Sequence, residues 1–142
     1  MKRRILMVIL TASFLFGLSI HPFFGQTCDD DEGMVKSYLL SINNLISTVK
    51  KENLSDFEKE YHEQSCLTRL TLSLGVINSL IDCLNKSAKN TTATKEQVAA
   101  IKSKLQTYVK LKSALEHDRD ALKAAKDTKT AKSIIENFAI ST

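Results

Sequence analysis

Between Asp30 and Lys51, apolar side chains fall at Met34, Val35, Tyr38, Leu39, Ile42, Leu45, Ile46 and Val49. Steps of three and four held over several turns predict an amphipathic helix. Asp29, Asp30, Asp31 and Glu32 offer a cap and negative charge at its positive end, and Lys50 and Lys51 close the other. Ser55-Asp56-Phe57-Glu58 reads as a capping box, so a second helix is expected from there to about Ser87. Leu67, Leu70, Leu74, Ile77, Ile81 and Leu84 form one stripe of this helix, with Leu72, Val76 and Leu80 beside it. A helix apolar over so much of its circumference is expected at the centre of a bundle. Gly75, a costly residue in mid-helix, then predicts close backbone approach by a neighbour.

Asn85 to Thr94 is polar and reads as the longest connection. Thr94-Lys95-Glu96-Gln97 is a second capping box and opens a third helix to about Lys126, with Val98, Ile101, Leu105, Tyr108, Leu115 and Leu122 along one seam. Lys112 and Arg119 interrupt that seam, where they are expected to snorkel. Asp127-Thr128 caps a short last helix whose apolar face is Ala131, Ile134, Ile135 and Phe138. The expected fold is all-α, a compact up-down bundle of four helices, or five if the second breaks near Ser65, with one disulfide.

The first residues belong to something else. Lys2-Arg3-Arg4 precedes an apolar run from Ile5 to Ile20 that ends at His21-Pro22, the pattern of a secretory signal peptide. At about 24 Å of helix the run is short for a membrane anchor. The reading is therefore a signal peptide over residues 1–25, with cleavage between 19 and 27, followed by one helical domain over 26–142. The terminal Ala139-Ile140-Ser141-Thr142 carries no retention signal, so the expected destination is extracellular, without stable membrane insertion. Three glycosylation sequons, at Asn53, Asn85 and Asn90, agree with export and sit where the helical pattern is expected to lapse.

Three cysteines follow the leader: Cys28, Cys66 and Cys83. On one continuous helix Cys66 and Cys83 lie about 25 Å apart, beyond disulfide reach. A hairpin of the first two helices brings Cys28 to the level of residue 80, which favours Cys28–Cys83 over Cys28–Cys66. Cys66 then remains as a buried free thiol in a monomer, or as the link of a dimer.

Formal charge is +4 over the whole chain, but the leader supplies three of the basic groups, so the remainder is nearly neutral and loses the basis for nucleic-acid binding. Residues 28–66 hold nine acidic and four basic groups, and residues 67–142 hold seven acidic and thirteen basic. The lysines of the third helix, Lys102, Lys110 and Lys112 among them, are the candidate surface for an acidic partner. Catalytic signals are weak. His62 and Cys66 have i, i+4 spacing without a second ligand pair, so no metal site is expected. Glu116-His117-Asp118 fans around a helix, and there is no Gly-rich phosphate loop. No catalytic residue and no cofactor are expected.

In size, leader, lysine-rich helical body and sparse cysteines, the chain resembles the small salivary proteins of blood-feeding insects, the anophensin/albicin family of anopheline mosquitoes in particular. The resemblance rests on whole-chain character and carries over no individual residue. It implies a secreted inhibitor of a host plasma cascade, either kallikrein–kinin contact activation or the alternative complement pathway, with an extracellular host protein as partner. Two other classes share the length, export and helix count: a short-chain four-helix cytokine, and a carrier of an apolar ligand or membrane-active helical protein.

Overall fold

The computed structural model describes residues 28–140; the leader and its cleavage site lie outside them. Four helices follow in order: α1 (Asp29–Lys51), α2 (Lys59–Ala88), α3 (Lys95–Lys123) and α4 (Thr128–Glu136). Among the described residues there is no strand, and α2 runs unbroken through Ser65.

Helix α2 packs against each of the other three, and α1 and α3 flank it without approaching one another by backbone. Leu70, Ile77 and Leu80 of α2 are fully buried; each such side chain contributes about 1.5–3 kcal/mol of transfer free energy. The three long helices thus form a layer with a trough along one face, walled by α1 and α3. At one end of this trough lies α4, in contact with both walls and with the floor. There Ala131 and Ile135 meet Leu45, Val49, Cys66 and Leu122 in one apolar cluster. The residues after α4 continue the packing. Ile140 joins Leu39, Ile42 and Leu115 in the second cluster, with Phe138 against it. Buried Asp118 of α3 accepts the Ala139 N–H at 3.0 Å and pins this tail in place.

Several local expectations hold. Thr94 and Gln97 form the reciprocal capping box, and Asp127 accepts from Thr130 N at the start of α4. Cys28 and Cys83 are bonded, with Cα atoms 5.9 Å apart. Cys66 is free and buried at 1% exposure. Lys112 and Arg119 are half-buried, with their charged ends reaching Glu116 and Asp120.

Other expectations fail, for identifiable reasons. The Ser55–Glu58 capping box does not form; α2 begins at Lys59, and its N-cap Glu58 makes no side-chain cap bond. Burial of Phe57 prevails over local capping. Its ring is 4% exposed and stacks on His62 at 4.9 Å, while residues 53–57 make tight turns held by Asp56 N to Asn53 O and Phe57 N to Leu54 O. At α1 the N-cap position is Cys28, without a side-chain cap, and all four acidic residues lie inside the first turn. A Cβ added at Gly75 would meet nothing within 4 Å, so no neighbour approaches there. Leu72, three residues before it, is 47% exposed. One stripe of α2 therefore faces outward. Asn53 and Asn90 lie in connections, but Asn85 is in the last turns of α2; all three are exposed.

Candidate functional site

Beyond α4 and Ile140, the last described residue, a groove of about 580 Å³ runs between α1 and α3 toward the disulfide end. From α1 it is lined by Glu32, Val35, Lys36, Leu39, Leu40 and Asn43, and from α3 by Ser103, Lys104, Thr107, Tyr108 and Leu111. Val35 and Leu39 are buried, Tyr108 and Leu111 half-buried, and Leu40 on the rim is 61% exposed. The span from residue 32 to residue 43 on a helix is about 16 Å. Volume, length and an apolar floor with a few polar groups fall within the range of small-ligand sites.

The polar groups gather at one end. Lys104 donates to Glu32 Oε2 at 2.7 Å, and Lys36 Nζ lies 3.2 Å from Oε1 of the same carboxylate. The Lys104 hydrogen bond, aided by Lys36 and opposed by burial, pulls the Glu32 carboxyl down to about 2. In return Glu32 pushes the Lys104 ammonium up, with Asp29 a smaller influence on it. Burial first, and then the negative Glu32, push the Tyr108 hydroxyl up to about 12. Glu32, Lys104 and Tyr108 therefore hold their ordinary charge at neutral pH.

A larger concavity, about 800 Å³, lies along Glu58 to Arg69. It has a single wall, the outer side of α2 and its cap, and so encloses nothing. The α1–α3 groove, lined from two helices with buried Val35 and Leu39 at its base, is the better site despite its smaller volume.

The lysines singled out in the sequence do not share a face. At about 100° per residue, Lys102 and Lys110 lie about 80° apart around α3, and Lys110 and Lys112 about 160° apart. Lys102 and Lys110 are exposed, whereas Lys112 is half-buried and 3.9 Å from Glu116. The groove residues escaped notice because the gap between α1 and α3 is a tertiary feature. One signal was present: Glu32 and Lys36 precede Leu39, and Lys104 precedes Tyr108 and Leu111, all in steps of three and four.

The reactive side chains serve packing. His62 is 5% exposed, stacked on Phe57, with Nε2 2.9 Å from Glu52 Oε2 but out of hydrogen-bond alignment, and its Nδ1 has no partner. Burial pushes the Cys66 thiol up to about 12, which holds it protonated and unreactive. Burial also raises Asp118, against the hydrogen bond from Ala139. Among the described residues no cluster of three His, Cys, Asp or Glu side chains has metal-binding geometry. Helix α2 is long and apolar enough to cross a membrane by length and composition, but its apolar positions Leu70, Ile77 and Leu80 are core. Comparison of the chain with protein-family models, curated proteins and solved structures finds no match.

Proposed function

We propose that the chain is a secreted, non-catalytic binding protein that captures a ligand in the α1–α3 groove. One observation carries this reading: among the described residues, α4 and Ile140 pack between α1 and α3 along one part, and a largely apolar groove runs between the same two helices along the rest. The Cys28–Cys83 disulfide fits an oxidising, extracellular setting and ties the start of α1, one wall of the groove, to α2. The burial of His62 and Cys66 favours binding over catalysis.

The test uses two exposed leucines, so that neither substitution disturbs the core. Leu40 is on the groove rim and Leu72 on the outward stripe of α2. Leu40→Glu is expected to weaken binding of an apolar fluorescent probe several-fold, and Leu72→Glu to leave it unchanged. The reverse pattern would remove the groove from the account.

A second reading is the inhibitor of a host plasma cascade that the salivary-protein resemblance implies. It is favoured by Lys102 and Lys110, exposed and without a carboxylate partner among the described residues. Its test is capture of a plasma protein whose association slows with Lys102→Glu and Lys110→Glu. The cytokine reading calls for long crossover connections, whereas residues 52–58 and 89–94 join antiparallel neighbours directly.

A further inference from the structure

Among the residues that line the groove, the polar end holds two cations and one carboxylate. Two ammonium groups, Lys36 and Lys104, converge on the single carboxylate of Glu32. Each ammonium has three donors, and Glu32 engages one of each. The remaining donors sit at the mouth, since the Lys36 and Lys104 side chains are 70% and 50% exposed. Asp29 also acts on Lys104, but Glu32 dominates it.

From this arrangement we infer that the groove takes a single-chain amphiphile with a carboxylate head, its chain along Leu39, Tyr108 and Leu111 and its head on the Lys36 and Lys104 ammoniums. The inference rests on the groove being the binding site and adds the class of ligand. An anionic head uses donors that Glu32 leaves unspent. A cationic head competes with Lys104 for Glu32 and meets the two ammonium groups of the lining on the way. A peptide helix entering the polar end would have to break the Lys104–Glu32 ion pair that crosses it. An extended alkyl chain suits the length of about 16 Å and the apolar floor.

The experiment measures binding of dodecanoate, dodecanol and dodecyltrimethylammonium, each below its micellar concentration, to the delipidated, oxidised protein. Dodecanoate is expected to bind about ten-fold or more tightly than the other two, the difference that charge-assisted hydrogen bonds supply. Glu32→Gln removes the competing carboxylate and is expected to tighten dodecanoate several-fold while leaving dodecanol unchanged. The double substitution Lys36→Gln, Lys104→Gln is expected to abolish the preference. If that variant does not fold, the sign of the Glu32→Gln effect decides alone. Equal binding of all three probes, or weaker dodecanoate binding by Glu32→Gln, overturns the head-group assignment and leaves the groove standing. Failure of every probe to bind the unsubstituted protein overturns the groove itself.

Discussion

Lys104 of α3 holds Glu32 of α1 at 2.7 Å, a direct tie between two helices whose backbones nowhere meet. Elsewhere α2, α4 and the terminal tail stand between them. The pair closes one end of the groove, and its titration is accessible to experiment.

The Glu32 carboxyl is lowered from 4.5 to about 2 in the folded chain. Its stabilisation is therefore complete above pH 4.5 and is lost as pH falls towards 2. Because both lysines are at least half exposed, solvent screening limits it to about 1 kcal/mol. Glu32→Gln should cost that amount in urea denaturation at pH 7, and the two proteins should converge in stability near pH 2. A constant difference across that range would mean the ion pair is energetically idle.

The Cys28–Cys83 bond closes a loop of sequence separation 55. Replacing both cysteines with Ser should lower unfolding stability by about 2–4 kcal/mol, mainly by freeing the unfolded chain. The start of α1 should also fray, because Cys28 at its N-cap has no side-chain cap bond to take over. Amide exchange over residues 29–33 reports the fraying; protection equal to that of the oxidised protein there would contradict it.

Gly75 lies in helical backbone with open space where a Cβ would stand. Alanine at that position should stabilise the fold by about 0.5–1 kcal/mol, since only the conformational cost of glycine is removed. Thermal denaturation measures it. A loss of stability would mean that a neighbour does reach the outward stripe of α2.

Cys66 should resist thiol reagents in the native protein and react fully once unfolded, as a buried thiol shifted to about 12 requires. A rapid native reaction at pH 7, or a disulfide-linked dimer on a non-reducing gel, would show that the α2–α4 contact opens.

Much of this fold is legible in the chain because each long helix carries its own periodicity and two of the caps are local. Thr94–Gln97 and Asp127–Thr130 need nothing beyond their own turns. The Cys28–Cys83 pairing, favoured over Cys28–Cys66 by hairpin register, is the one formed. The start of α2 was not legible, because Ser55 and Glu58 satisfy a local rule that burial of Phe57 overrides. The groove was still less so. Val35, Leu39 and Tyr108 read as ordinary core positions, and only the separation of α1 from α3 leaves part of their stripe uncovered. Proximity in sequence did not put Lys110 and Lys112 on one side of α3.

The most direct test is a backbone amide titration by nuclear magnetic resonance with dodecanoate and the oxidised protein. Saturable shifts should concentrate at residues 32–43 and 103–111, the two walls, and spare Thr68, Leu72 and Gly75 on the outward side of α2. Shifts centred on that outward stripe, or none at all, would contradict capture between α1 and α3.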